Sequence, residues 1–125
     1  MRLLLDTHAL LWWLDDPRLL SEEARNAIKS GENIVYVSAA VIWEIVIKKA
    51  LGKLDIPSNI ERALATNGFS LLSITVPHAL AVQKLPSHHR DPFDRMLIAQ
   101  ALQEGLILVS RDPNILKYRV AHMVA

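Results

Sequence analysis

Residues 1–8 read MRLLLDTH, in which three leucines at positions 3–5 are followed by a carboxylate, Asp6. A run that is apolar on both faces is typical of a strand inside a parallel sheet, because helices cover both faces of such a sheet. Asp6 would then follow the carboxyl end of the strand, where ligands bind in open α/β sheets. It would equally serve as the N-cap of a following helix. Residues 1–8 alone leave both interpretations open.

The rest of the chain alternates between strand-like and helix-like patterns. Strands are predicted at residues 3–5, 34–37, 71–74, 106–109 and 120–124. Helices are predicted at residues 7–14, 21–29, 39–51, 57–67, 76–85 and 92–104, with a helical turn after residue 112. Such alternation is typical of parallel strands joined by right-handed crossovers. The order therefore predicts an α/β fold of three layers, α/β/α, around a central, mostly parallel sheet of four to five strands.

The composition narrows the class of protein further. A length of 125 residues suits one domain, so we expect residues 1–125 to form a single domain. No apolar run reaches the roughly 18–20 residues of a membrane span, and acidic residues interrupt the first apolar stretch, so we expect no membrane contact and a cytoplasmic location. The absence of cysteine excludes disulfides and thiolate metal ligands. A net charge of +1 does not by itself indicate nucleic-acid binding.

Four carboxylates come from separate segments that end at the same predicted edge of the sheet. Asp6 follows the first strand, and Glu44 lies two turns into the helix after the second. Asp94 lies in the first turn of the helix that starts at residue 92, and Asp112 follows the fourth strand. Clustered carboxylates repel one another strongly unless a cation lies among them. Because the ligands would all be oxygens, we expect Mg²⁺ or Mn²⁺.

Each acid also has a purely structural interpretation. Glu44 and Lys48 are spaced four apart, as in a salt bridge on a helix surface. Asp91 precedes a proline, which is the pattern of an N-cap with proline at the first helical position, and Asp112 repeats it. Asp94, in the first turn, would interact favourably with the dipole of the same helix. Capping fully accounts for Asp91, so we interpret it as a cap rather than as a ligand.

Basic residues lie close to these acids in the sequence. Arg90, Arg95 and Arg111 flank the acids at positions 91, 94 and 112. Such a pattern suits a phosphodiester substrate, since a metal-activated water can attack a phosphate whose charge is neutralised. Basic residues on an ordinary solvated surface would give the same pattern. The three arginines are therefore candidate substrate contacts.

Two predicted helices are apolar around most of their circumference. They span residues 9–14 and 39–51, and such helices are buried on more than one side. A second protein chain would supply that burial, with Trp12, Trp13 and Trp43 as anchors. Packing of the two helices against each other within one chain is the alternative. We expect a protein interface, and a homodimer in particular.

Four segments together resemble a PIN domain of the VapC toxin type. They read LLDTH at residues 4–8, IWEI at 42–45, HRDPFDRMLIAQA at 89–101 and VSRD at 109–112. Their order and spacing match the family pattern from residue 3 to about residue 112. The resemblance implies a metal-dependent endoribonuclease, the toxin of a type II toxin–antitoxin pair, which a cognate antitoxin holds inactive and which is usually dimeric.

The resemblance also assigns roles to individual positions. Asp6, Glu44 and Asp94 match the three main acids of the family, and Asp112 matches the more variable fourth. Thr7 and Ser110 match the small hydroxyl residues that support the site, and Asp91 belongs to a subgroup's version of the third motif. The alternative from another functional class is a PIN-like scaffold that no longer cleaves and only binds RNA or protein.

Overall fold

The central sheet contains five strands, all of them parallel. A computed structural model of the protein describes residues 1–54, 56 and 58–125. The strands are Arg2–Leu5 (β1), Ile34–Ser38 (β2), Ser70–Leu72 (β3), Ile107–Ser110 (β4) and His122–Val124 (β5). Their order in the sheet is β3-β2-β1-β4-β5. The predicted three-layer α/β/α fold with a parallel sheet is confirmed.

The helices that cover the sheet lie close to their predicted positions. They are Thr7–Asp15 (α1), Glu22–Lys29 (α2), Ala39–Ala50 (α3), Ile60–Thr66 (α4), Val76–Val82 (α5), Pro92–Glu104 (α6) and Pro113–Leu116 (α7), with one turn of 3₁₀ helix at Pro17–Leu19. The predicted start of the fourth helix, at residue 57, lies outside the described residues. None of the helices described is long and apolar enough to cross a membrane.

Several boundaries differ from the prediction, among them the start of β5, at His122 rather than residue 120, and the ends of β3 and α5. β3 ends at Leu72 rather than residue 74, because its neighbour β2 ends at Ser38, the residue that pairs with Leu72. α5 ends at Val82 rather than residue 85. Beyond it, the N–H of Leu85 donates to the carbonyl of Val82, which is the tighter hydrogen-bond pattern of a 3₁₀ turn.

β1 is the middle strand because its three leucines make both faces of the strand apolar. Leu3, Leu4 and Leu5 are fully buried, and β1 pairs with β2 on one side and with β4 on the other. Burying a leucine side chain contributes roughly 1.5–3 kcal/mol to stability. The three leucines therefore fix the strand at the centre of the sheet, with Asp6 directly at its carboxyl end.

The strand order creates a switch point beside β1. The chain proceeds from β1 to β2 and β3 on one side, and then crosses back to β4 on the other. In open α/β sheets, crevices for ligands form at the carboxyl edge where the order reverses. Asp6 and Asp112, which follow β1 and β4, lie at this point.

Candidate active site

Asp6 and Ser110 occupy adjacent strand ends at the switch point. Asp6 is 5% exposed, and its Oδ1 accepts a hydrogen bond of 2.8 Å from the N–H of Ala9, so it does cap α1. Ser110 Oγ accepts a hydrogen bond of 3.1 Å from the N–H of Asp112. Burial raises the pKa of Asp6, while hydrogen bonds from Ser110 and Ala9 oppose that shift. Ser110 thus connects the segments that carry two of the acids.

Glu44 reaches this edge from α3 and is also buried, at 4% exposure. Its Oε1 accepts a hydrogen bond from the hydroxyl of Thr7, the first residue of α1. Its Oε2 lies 2.5 Å from the Lys48 ammonium, so the predicted salt bridge is formed. The hydrogen bond to Glu44 raises the pKa of Lys48, and the charges of Asp91 and Asp94 act in the same direction. The α3 carboxylate is therefore held on one oxygen by a hydroxyl and on the other by a cation.

The N-terminus of α6 holds Asp91 and Asp94 in different ways. Asp91 Oδ1 accepts hydrogen bonds from the N–H groups of Phe93 and Asp94, at 2.9 and 3.1 Å. The interpretation of Asp91 as a cap is thus what the structure shows. Asp94 does not cap the helix, and its Oδ2 lies 3.1 Å from Nε2 of His89. Asp94 therefore faces inward while Asp91 holds the end of the helix.

Electrostatic repulsion connects Asp94 to the other acids. Its pKa is raised to about 8, mainly by burial and further by the charges of Asp91, Glu44, Asp6 and Asp112. Charges influence a pKa in this way only over short distances. Asp6, Glu44 and Asp112 thus lie near enough to Asp94 for their charges to act on it, and we call these four acids the carboxylate cluster.

The donor atoms of the carboxylate cluster suit a hard divalent cation. All of them are oxygens, the ligands that Mg²⁺ and Mn²⁺ prefer. Within residues 1–54, 56 and 58–125, however, no group of three or more His, Asp or Glu side chains is arranged to hold a metal ion. Two of the acids instead contact protein partners, since Glu44 binds Lys48 and Asp94 contacts His89. The oxygen atoms of the four acids therefore suit such an ion, while the carboxylates of Glu44 and Asp94 each contact a protein side chain.

Comparison with known proteins decides the family. The model of the PIN domain family matches residues 3–121. Ribonuclease VapC22 of Mycobacterium tuberculosis is 30% identical in an alignment over 125 residues. The alignment covers 93% of this chain and 91% of that protein. The chain belongs to the PIN-domain family. Its resemblance to the VapC type is thereby confirmed.

Solved structures share the fold of this PIN domain. VapBC2 from Rickettsia felis, crystallised with a DNA fragment from their promoter, has a TM-score of 0.72 and 13% identity, with 98% of both chains covered. FitAcB from Neisseria gonorrhoeae has a TM-score of 0.67 and 21% identity, with 98% of this chain and 96% of that chain covered. These likenesses support the same chain path from end to end.

Arg95 of this PIN domain contacts its own chain rather than open solvent. Its guanidinium donates to the carbonyl oxygens of Pro86 and Val82, at 2.8 and 3.1 Å, and to the hydroxyl of Tyr118 at 3.0 Å. Five N–H donors make guanidinium well suited to gathering several acceptors. Arg95 thus fastens the loop before α6, and a substrate contact would require it to exchange these partners.

Arg111 and Arg90 are both exposed, but Arg111 also contacts its own chain. The Arg111 guanidinium lies 4.2 Å from the ring centroid of Trp12 and donates to the main-chain oxygen of Ala125 at 2.8 and 3.0 Å. Together with Asp6, it lines a cavity of about 280 Å³ beside the acids. Of the three predicted substrate contacts, Arg90 is the one whose side chain forms no hydrogen bond with the described residues.

The three tryptophans of this PIN domain differ in exposure. Trp12 lies beneath a guanidinium, and Trp13 Nε1 donates to Asn67 at 2.9 Å, so both are half-buried by contacts within the chain. Trp43 is 61% exposed and touches Phe93 in a T-shaped arrangement, with ring centroids 5.3 Å apart. Packing within one chain therefore accounts for much of the apolar surface at Trp12 and Trp13, but not at Trp43.

Sequence reasoning missed His89. The loop before α6 gave no reason to separate it from its neighbour, His88, yet its ring is 12% exposed and contacts Asp94. The available signal was its position immediately before the motif that carries Asp91 and Asp94. A loop residue that close to a helix N-terminus can fold back onto the first turn, and here it does.

Proposed function

We propose that this protein is a Mg²⁺- or Mn²⁺-dependent endoribonuclease that hydrolyses RNA phosphodiester bonds as the toxin of a type II toxin–antitoxin pair. The observation that carries the proposal is the carboxylate cluster, in which Asp94 has its pKa raised to about 8 by burial and neighbouring charge. Perturbed groups of this kind concentrate in functional sites. The relative named as a ribonuclease, VapC22, supports the substrate class.

The four acids of the carboxylate cluster would hold the ion. A bound Mg²⁺ or Mn²⁺ supplies a water of lowered pKa and positive charge beside a phosphate. The chain's own contribution is positioning, because the hydroxyls of Thr7 and Ser110 fix the segments around Glu44 and Asp6. Burial of these groups also strengthens every electrostatic interaction in the site, since water is partly excluded.

We also propose two protein partners, a cognate antitoxin and a second copy of the chain. Resemblance to the VapC type implies both, with residues 1–125 forming a single PIN domain that acts on RNA in the cytoplasm. Trp43 supports an interface best, because most of its side chain is exposed and aromatic residues anchor interfaces. Trp12 and Trp13 would contribute through their exposed portions.

Exchange of one acid tests the reaction. Asp6→Asn keeps the capping oxygen, so we expect the fold to be retained, while cleavage of RNA in Mg²⁺ or Mn²⁺ should fall below detection. Asp15→Asn is the matched control, because it makes the same chemical change at an exposed position at the end of α1. Undiminished cleavage by Asp6→Asn would contradict the assignment.

A second function is separated by the same assay. If the unchanged protein binds RNA but does not cleave it at any concentration of Mg²⁺ or Mn²⁺, the protein is a PIN-like RNA-binding module. The presence of all four acids favours cleavage, because a binding module gains nothing from carboxylates that repel one another, two of which, Asp6 and Glu44, are buried.

A further inference from the structure

A groove crosses the outer face of α6, between the end of α5 and the segment after α7. Its volume is about 640 Å³. Its floor is apolar and includes Ala99 and Leu102, and its rim carries Lys84, His88, Lys117 and Arg119. We call it the α6 groove. Neither the carboxylate cluster nor its supporting hydroxyls line it, so the proposed reaction leaves its charges unexplained.

The rim of the α6 groove has one sign of charge. Lys84, Lys117 and Arg119 are exposed, and no lining residue is acidic. In the part of the chain that the structure describes, none of the three forms a salt bridge with a carboxylate. On a chain whose net charge is only +1, three such cations around one groove are a local concentration of positive charge. That pattern is complementary to a polyanion.

The α6 groove adjoins the carboxylate cluster through aromatic rings. The rings of His88 and His89 both lie against Tyr118, with centroid distances of 4.9 and 6.5 Å. His89 also contacts Asp94, at 3.1 Å. Arg95 holds this arrangement, because it donates to the Tyr118 hydroxyl and to the loop before α6. Tyr118, which lines the groove, is therefore separated from Asp94 by a single side chain, His89.

We propose that the α6 groove binds the RNA strand that flanks the phosphate at the carboxylate cluster. Lys84, Lys117 and Arg119 would neutralise backbone phosphates, while the exposed His88 ring and the apolar floor would contact bases. Single-stranded nucleic acid is commonly bound in this way, by cations along the backbone and rings against the bases. The inference rests on the proposed function. Proximity to the acid site favours RNA over an acidic protein segment, since a substrate must extend beyond the bond that is cut.

Removal of the three cations tests the proposal. The groove variant combines Lys84→Ala, Lys117→Ala and Arg119→Ala, and the control combines Lys29→Ala, Lys53→Ala and Arg62→Ala. Both lose three exposed cations, but the control residues do not line the groove. Binding of a fluorescent mixed-sequence RNA of about 20 nucleotides is measured by anisotropy in EDTA over a series of salt concentrations, so that electrostatic contacts are counted without cleavage.

The groove variant should bind more weakly and depend less on salt. Each phosphate contact on a single strand contributes about 0.7 to the slope of log K against log salt, so the slope should fall by about 2. Affinity at low salt should fall at least about tenfold, with the control close to the unchanged protein. Equal melting temperatures of the two variants would show that folding is not the cause.

Three other results would overturn the proposal. Equal affinities and slopes for the groove variant and the control would refute RNA binding in the α6 groove. If the unchanged protein still cleaved RNA, the proposed function would stand without the groove. Absence of RNA binding by the unchanged protein would refute both. Unchanged RNA affinity together with lost binding of poly-glutamate would assign the groove to an acidic protein partner instead.

Discussion

α6 contributes to two polar clusters that balance their charges in different ways. Near its C-terminal half, Gln100 accepts from the hydroxyl of Ser38 at 2.6 Å and donates to the carbonyl of Ser73 at 3.3 Å. His78 completes that cluster, because its Nδ1 accepts from Thr75 N–H at 3.1 Å while its Nε2 lies 2.8 Å from the carboxylate of Glu104. Every donor there meets an acceptor.

The other cluster, at the N-terminal end of α6, gathers acceptors of the same charge. Asp94 lies among carboxylates that all raise its pKa, with one ring nitrogen of His89 as a counterpart. A satisfied network stabilises a fold, whereas buried like charges destabilise it unless a cation neutralises them. The satisfied cluster therefore serves the fold, and the acidic cluster is the one that we propose to carry the reaction.

The largest expected effect comes from neutralising Asp94. The folded state holds its proton up to about pH 8, while the unfolded chain releases it near 3.8. The folded state therefore binds more protons between these values, and the free energy of unfolding falls as pH rises through that window. Asp94→Asn should remove this loss and stabilise the metal-free protein above pH 8 by several kcal/mol, with about 6 kcal/mol as the ceiling, because one unit of pKa shift corresponds to about 1.4 kcal/mol.

Denaturant unfolding in EDTA, repeated from pH 4.5 to pH 9, measures this effect. Asp15→Asn serves as the control, since it is an aspartate at an exposed position. If Asp94→Asn and Asp15→Asn changed the free energy of unfolding equally at every pH, the charge of Asp94 would not be what destabilises the metal-free protein.

A smaller and opposite effect is expected from the satisfied cluster. Gln100→Ala leaves the hydroxyl of Ser38 and the carbonyl of Ser73 without their partner, so the free energy of unfolding should fall by about 1–3 kcal/mol. The loss should be the same with and without Mg²⁺, because Gln100 contacts none of the acids. A stabilising effect of this substitution would contradict the comparison.

The smallest effect is expected at the exposed interface candidate. Trp43→Ala should change the stability of the monomer by less than about 1 kcal/mol, since most of the side chain is exposed. The same substitution should weaken self-association, measured by sedimentation over a range of concentrations. Equal association of both proteins would remove Trp43 from the interface, and a large loss of stability would assign it to the fold.

Much of the fold could be predicted because its signals are local. The three leucines of β1 are apolar in consecutive positions, which suits only a strand covered on both faces. Ser21 and Ser38 directly precede α2 and α3 and cap them with their hydroxyls, as serine commonly does. The less accurate boundaries, at β3 and α5, depend on where a neighbouring strand stops and on how a helix tightens at its end.

The candidate site was predictable only as a set of acids. Their positions after strands and at a helix start indicated a common edge, and the charges of the other acids do act on Asp94. What Arg95, Arg111 and His89 contact could not be read from the sequence, because their partners are main-chain oxygens or side chains that only tertiary folding supplies. The position of a basic residue beside an acid in the sequence did not show whether its side chain would bind the chain itself or remain available to a substrate.

We propose that a divalent cation completes the carboxylate cluster, and calorimetric titration is the direct test of this binding. Mn²⁺ or Mg²⁺ should bind the metal-free protein at pH 7 with release of a proton from the site, because the pKa of Asp94 is about 8 without the ion. Asp94→Asn should lose this binding, while Gln100→Ala should retain it. Equal binding by Asp94→Asn and the unchanged protein, or no binding by either, would contradict the account.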